Sequence, residues 1–348
     1  MPPAANVVAL ATAVPPHRLD QDGVAERLAP LFGGAAEFER LRPVFANSGI
    51  RQRYSPVPFD WFAEPQGWPE RNRQYLAAAV DLLEEVAGRV LDRAGTRAED
   101  IGAIVTVSTS GIATPSLDAR LMQRMRLPRT VQRLPIFGLG CGGGAIGLAR
   151  AATLAAAMPD RPVLLLVVEL CSLWFRNRET SKSNIVASAL FGDGAAAVLL
   201  RCGGQGPAVV AAGEHTWPDS LDVMGWDIAE DGLRPIFSRD IPRLVSAELG
   251  DAARAFLARH ELGLGDIDRF ICHPGGPKVI AACEDAFGLA DGVLAAERGI
   301  LRDFGNMSAA SVLFVLERVL VRTGPWRRAL VTALGPGFTA GFVLLENR

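Results

Sequence analysis

An α/β protein of two similar lobes is the fold class that the sequence predicts, and three observations carry that expectation. Short apolar runs suited to buried strands alternate with longer segments whose apolar residues recur at helical spacing. The order of these segments in the first half returns in the second half. At corresponding places Cys141 and Asn306 each open a helix, about 40 residues after an Asp-Ile pair at 100–101 and at 266–267. Repeats are usually short-period arrays; one duplication of about 170 residues points instead to two layered lobes, 1–205 and 206–348.

The first strand reads from Val7 to Ala13 and stops at Pro15-Pro16; a helix follows near Asp20 to Leu28. Glu39 to Tyr54 is a basic patch on a loop or short helix, and Phe59 to Arg71, rich in Trp and Pro, reads as an irregular packing segment. Asn72 to Ala94 is helical, with Leu76, Val80, Leu83, Val86, Val90 and Leu91 on one face. GAIVTVST then makes a buried strand that reaches Thr109 and Ser110. The short apolar run Leu134 to Phe137 leads into five glycines around Cys141 and an alanine-rich helix to Ala157. Val163 to Leu170 is a buried strand, and Phe191-Gly-Asp-Gly turns into another that ends near Leu200.

The second half repeats the pattern. Ser246 to His260 is a helix, Phe270 to Cys272 a strand that runs into His273-Pro-Gly-Gly, and Gly305 to Ser308 opens a helix with Val312, Val315, Leu316 and Val319 inward. A strand from Ala329 to Leu334, the turn Gly335-Pro336-Gly337 and a strand from Phe338 to Leu345 close the chain. On this pattern the helices of Cys141 and Asn306 meet near a pseudo-two-fold axis.

Composition bounds the function. A hydrophobic fraction of 49%, a charged fraction of 21% and a net charge of −2 fit a soluble globular protein and exclude nucleic acid or an anionic membrane as a bulk partner. No apolar run approaches the roughly 20 residues of a spanning helix, and the N-terminal stretch lacks the basic leader of a signal peptide. Cys141, Cys171, Cys202, Cys272 and Cys283 form an odd, scattered set without C-x-x-C, which argues against a disulfide framework or a zinc site and for the cytoplasm.

At a helix start, free backbone N–H groups and the positive dipole end favour thiolate at Cys141, and the flanking glycines leave room for a substrate. A free cysteine in a buried turn is the plainer alternative. A nucleotide loop is another, since Gly138, Gly140 and Gly143 satisfy G-x-G-x-x-G; no acidic residue closes a second strand at the spacing that motif needs. A cysteine nucleophile wants an imidazole, and His273 is the one histidine of four whose neighbours, Pro274-Gly275-Gly276, open space for a ligand. An oxyanion wants N–H donors, which His273 and Asn306 supply.

HPGGP at 273–277, GNMSAAS at 305–311, LFGDGAAA at 190–197 and LGPGFTAGF at 334–342 resemble, in this order after the cysteine, the type III polyketide synthases, the chalcone-synthase-like branch of the thiolase superfamily. The resemblance runs from about Val7 to the C-terminus. It implies the five-layered α/β/α/β/α thiolase fold, a homodimer, acyl-CoA and malonyl-CoA as substrates, no cofactor or metal, and a triad of Cys141, His273 and Asn306. It further implies Phe191 as a gatekeeper beside the malonyl carboxylate. Thr109, Ser110, Trp174, Trp226, Pro235, Gly335, Pro336, Gly337 and Phe338 are the residues that it places around the pocket. Trp174 stands where plant enzymes carry a small threonine, Trp226 near a plant glycine, and Pro235 near a second gatekeeper phenylalanine. Of the CoA-binding patch Arg40 is kept, while Pro43 and Asn47 replace basic residues; Arg42, Arg51 or Lys278 would compensate.

The activity so implied is iterative decarboxylative condensation of malonyl-CoA onto an acyl-CoA starter, a fatty acyl group in the leading reading, with closure to an alkylpyrone or alkylresorcinol-type ring. Two alternatives stand beside it: a ketoacyl-carrier-protein synthase III, whose histidine is typically followed by Gln-Ala-Asn, and a dinucleotide-binding oxidoreductase.

Overall fold

A computed structural model describes residues 4–32, 36–177, 179–322 and 324–347. The strands are β1 (Ala5–Ala13), β2 (His17–Asp20), β3 (Gln52–Ser55), β4 (Ala103–Val107), β5 (Gln132–Ile136), β6 (Val163–Leu170), β7 (Asp193–Cys202), β8 (Ala208–Thr216), β9 (Met224–Ala229), β10 (Gly232–Phe237), β11 (Arg269–Cys272), β12 (Arg328–Gly335) and β13 (Thr339–Glu346). The main sheet runs β11-β12-β13-β8-β1-β7-β6-β4-β5. Its halves join through β1 and β8, where Ala5 and Asn6 pair with Val209 and Ala208. In each half the first strand is antiparallel to the last, the last antiparallel to the one before it, and the next pair parallel: β1-β7-β6-β4 in one, β8-β13-β12-β11 in the other. The duplication read from the sequence is thus a duplication of topology. One strand breaks it, since β5 has no counterpart beyond β11.

The helices are α1 (Gln21–Leu28), α2 (Ala36–Leu41), α3 (Pro43–Asn47), α4 (Trp68–Ala94), α5 (Leu117–Met125), α6 (Gly143–Ala157), α7 (Lys182–Leu190), α8 (Ile241–Leu244), α9 (Gly250–Ala258), α10 (Pro277–Phe287), α11 (Ala295–Phe304) and α12 (Ser311–Arg322). Strand residues alternate between layers, because successive side chains point to opposite faces. Val105, Val107, Leu165, Val167, Val198, Val331 and Val343 face a core shared with α6 and α12. Ile104, Leu164, Leu166, Val168 and Leu199 face α4 and α5, whereas Leu330, Phe342 and Leu344 face α9 and α10. The result is helices, half-sheet, the α6–α12 pair, half-sheet, helices: the five layers expected. With both faces covered, β6 is apolar at every position but Glu169 and buried throughout.

The sequence misjudged some boundaries. Helix α4 begins at Trp68 rather than Asn72, because Pro69 is tolerated in a first turn that lacks N–H partners in any case. The hairpin β9–β10 and the helix α7 are elements that the sequence reading does not include.

Glycines make the central helix pair possible. A Cβ on Gly144 would sit 2.2 Å from the Ala309 carbonyl oxygen and 2.6 Å from Val312, and one on Gly143 2.7 Å from Val107. The glycine run that promised room for a substrate mainly gives room for protein. Gly144→Ala is therefore expected to lower stability by about 2–3 kcal/mol through overpacking of the helix contact, read as a drop in Tm. Buried Glu297, on α11, accepts a hydrogen bond from the Cys272 backbone N–H at 3.0 Å, and burial raises its carboxyl from 4.5 to about 7. A carboxyl whose folded value lies above its unfolded one loses stability as pH rises through that interval. Glu297→Gln removes the ionisable group, so the variant should gain on the wild type by on the order of 3 kcal/mol between pH 5 and 8, measured by denaturant unfolding across pH.

Candidate active site

Cys141 lies in a 3₁₀ turn, Gly140–Gly142, that leads directly into α6. Gly138 and Gly140 hold positive φ values of 92° and 45°, which turn the chain from exposed edge strand to buried helix start. The turn is pinned from two sides. The Gly140 N–H donates to the Thr109 hydroxyl at 3.1 Å, and Gly335 packs so closely that a Cβ there would meet the Leu139 carbonyl oxygen at 2.2 Å.

His273 follows β11 directly. Its N–H donates to the Thr332 carbonyl at 2.9 Å and its carbonyl accepts from Gly275 at 3.0 Å. The imidazole is buried, with neither ring nitrogen hydrogen-bonded within the described residues, and burial lowers it to about 4. Asn306 is fixed more tightly. Its Oδ1 accepts from the Ser308 N–H at 2.9 Å, and Nδ2 donates to the Gly275 carbonyl at 3.2 Å, which ties it to the histidine loop. Its backbone pairs with Leu190 and Gly192 at 2.8 and 2.9 Å, which sets Phe191 directly beside Asn306.

These three residues, from distant parts of the chain, line one cavity of about 910 Å³. Burial pushes the Cys141 thiol up to about 11, while hydrogen bonding to Ser308 and Asn306 works against that rise. Burial thus opposes the thiolate expected from the helix start and favours the neutral thiol and the neutral imidazole. Two buried carboxyls stand behind the site. Glu169 accepts from the Thr109 N–H at 3.1 Å and is raised to about 8; Asp193, bonded to Ser172 and facing Arg53, is raised to about 7, both chiefly by burial.

Phe191, Trp174, Thr109, Trp226, Pro235 and Pro336 line the same cavity, as do Arg40 and Lys278. Phe191 meets Trp174 edge-on at 5.5 Å, and the buried Arg53 donates to its carbonyl at 2.7 Å. Other residues expected around the pocket are elsewhere. Ser110 is buried behind the wall, where its hydroxyl accepts from Leu170 and its carbonyl from the Trp174 indole at 3.1 Å, so it supports the pocket without lining it. Gly335 packs against the cysteine turn, and Gly337 (φ 71°) accepts from Ser220 in a turn outside the cavity. Phe338 faces Trp217 in the core at 4.9 Å. Arg42 pairs with Glu39, and Arg51 is exposed beside Arg302; neither lines the cavity.

Two wall residues escaped the sequence reading. Phe237 faces Phe191 at 6.4 Å, in the place sought near Pro235. Period-two alternation along β10, which puts residues 235 and 237 on one face, was the available signal. Ser308 lines the cavity at a positive φ of 47°, a strained position that no sequence pattern announces.

The chalcone and stilbene synthase N-terminal domain description matches residues 3–205, and the C-terminal domain description matches residues 208–347. The 1,3,6,8-tetrahydroxynaphthalene synthase of Streptomyces peucetius subsp. caesius is 44% identical across 98% of this chain and 93% of its own length. An alpha-pyrone synthesis polyketide synthase-like protein of Mycobacterium tuberculosis (strain ATCC 25618 / H37Rv) is 28% identical across 99% and 93%. Among solved structures, tetrahydroxynaphthalene synthase from Streptomyces coelicolor A3(2), a bacterial type III polyketide synthase, superimposes with a TM-score of 0.94 at 27% identity over 99% of both chains. The dinucleotide reading falls with these matches and with the packing, since two of its three motif glycines are filled in by protein: a Cβ at Gly140 would meet Pro336 and one at Gly143 would meet Val107. Matches along both halves likewise displace the ketoacyl-carrier-protein synthase III alternative. The chain belongs to the chalcone and stilbene synthase family, the type III polyketide synthases of the thiolase superfamily, and the chemistry of that family is iterative condensation.

Proposed function

We propose that Cys141 accepts the acyl group, that His273 moves its proton, and that Asn306 together with His273 holds the oxyanion. What carries this reading is the convergence of the three side chains on one cavity, with Asn306 tied to the histidine loop. In the loading step Sγ attacks the thioester carbonyl, its proton passes to the imidazole and then to the departing CoA sulfur. The unprotonated ring has a lone pair free to accept that proton, and a bound substrate that polarises the pair has to offset the burial that weakens the ring as a base. In the extension step malonyl-CoA loses CO₂. The remaining enolate oxygen is held by the imidazole N–H and by the Asn306 Nδ2 proton not bound to Gly275; the enolate carbon then attacks the Cys141 thioester and expels the Cys141 thiolate, which takes up a proton from solvent to regain the thiol. Phe191, Trp174 and Phe237 give the carboxylate an apolar wall, which favours the neutral CO₂ it becomes.

For the product, the better supported reading is a polyhydroxylated aromatic ring made from malonyl units. The relative at 44% identity is by name a tetrahydroxynaphthalene synthase. A ten-carbon bicycle oxygenated at alternate positions needs only two-carbon units and no fatty starter. A fatty acyl starter, with an alkylpyrone or alkylresorcinol product, stands second on one observation: the cavity of about 910 Å³, which also has to admit the arm of CoA, is mainly apolar. Two lobes divided at 205/206 and a homodimer complete the proposal. The exposed edge strand β5 with Leu134 and Phe137 supports the dimer. The five free cysteines support a reducing compartment.

Cys141→Ala should abolish product formation, a loss of roughly 1,000-fold or more, as for removal of a nucleophile. Alkylation of Cys141 by iodoacetamide at pH 7 should slow about tenfold or more in His273→Gln; an unchanged rate would remove the histidine from its role. Mass spectrometry should find an aromatic product from malonyl-CoA alone. Product only on addition of long-chain acyl-CoA would decide for the second reading.

A further inference from the structure

We infer that the phosphate-bearing end of the CoA substrate is held by Lys182, Arg239 and Lys278, on the rim that α7 and α10 contribute, rather than by the basic stretch around Arg40, an inference that rests on the CoA-thioester reading above. Of the 36 Lys and Arg residues only two are lysine, Lys182 and Lys278. Both are exposed, and both line the mouth of the catalytic cavity. Elsewhere the chain uses arginine without exception, so the two lysines mark this rim against the rest of the surface.

Charge along the cavity is one-sided. Its described lining includes four cations, Arg40, Lys182, Arg239 and Lys278, and no Asp or Glu, in a chain of net charge −2. Arg40 is already engaged, since its guanidinium donates to both oxygens of Glu37. Lys182, Arg239 and Lys278 enter no ion pair among the described residues, whereas arginines across the surface, such as Arg97, Arg124 and Arg254, do. Lys182 feels the Glu37 carboxylate, but Arg40 holds that charge.

Helix geometry sharpens the point. Lys182 opens α7 and Lys278 is the second residue of α10, and neither first turn contains an acidic residue. A cation at a helix N-terminus opposes the macrodipole. Two helices that both accept this cost at one cavity mouth concentrate positive potential where a diphosphate and a ribose phosphate would reverse it. Lysine also fits the work. It meets phosphate as a hydrated point charge on a flexible stem, without arginine's bidentate fork. An iterative enzyme must release CoA and admit the next malonyl-CoA at every extension, and a mobile contact of this kind allows that exchange.

The test compares malonyl-CoA with malonyl-pantetheine, which carries the same reacting end but lacks the whole 3′-phosphoadenosine diphosphate end. For Lys182→Ala and Lys278→Ala, KM for malonyl-CoA should rise about five- to tenfold each, with kcat little moved, as expected for exposed charge contacts. The ratio of kcat/KM for malonyl-CoA over malonyl-pantetheine should fall by the same factor. Lys→Arg variants should recover most of the loss, and the salt dependence of KM should flatten in the double variant. An equal loss on both substrates, no loss on malonyl-CoA, or a wild-type preference for malonyl carrier protein over malonyl-CoA would each overturn the inference. Cys141→Ala reads acyl transfer independently. Lys variants that behave as wild type beside an inactive Cys141→Ala would sink the phosphate rim and leave the catalytic reading standing.

Discussion

Backbone-to-backbone contact between the two helix starts is the constraint on which the rest of the molecule depends. Gly144 abuts the Ala309 carbonyl, and Gly335 abuts Leu139 and Gly142, at distances that no Cβ could share. Because the lobes approach this closely, the start of α6 and the segment ahead of α12 reach the same cavity, and a thiol from one lobe can share it with an amide from the other. The half-sheets on either side, buried on both faces, hold the helix pair as rigid walls.

Rigidity at the centre has an electrostatic consequence. Burial penalises the charged forms: the thiol rises to about 11, the imidazole falls to about 4, and Glu169, Asp193 and Glu297 rise to about 8, 7 and 7. The resting centre is thereby close to neutral. The two glutamates still do structural work, because each accepts the N–H of a residue at or beside a site position, Thr109 in one lobe and Cys272 next to His273 in the other. A neutral interior also suits chemistry that expels CO₂ from a carboxylate.

The cavity joins two environments. Its inner wall is aromatic, with Trp174, Phe191 and Phe237 in edge-on contact, and its mouth is cationic. Asn306 links the inner wall to the histidine loop, since its backbone is bonded to the residues on either side of Phe191 and its side chain to the Gly275 carbonyl. A substrate with a polyanionic end and a small reactive end fits such a gradient in one orientation only.

Much of this was legible in the residues. Strand and helix periods gave the layers, the internal repeat gave the two lobes, and the glycine turn at Cys141, the His-Pro-Gly-Gly run and the Gly-Asn-Met-Ser run marked the candidate triad. These features are local, and local patterns survive translation into sequence. What tertiary structure decided is what depends on surroundings. Burial opposes the helix dipole at Cys141. The glycines proved to serve helix packing more than substrate access. Ser110, Gly335, Gly337 and Phe338 turned out to support the pocket from behind or beside it, and Phe237 and Ser308 came to line it. Side-chain direction and desolvation are set by neighbours hundreds of residues away, and the linear order of the chain does not contain them.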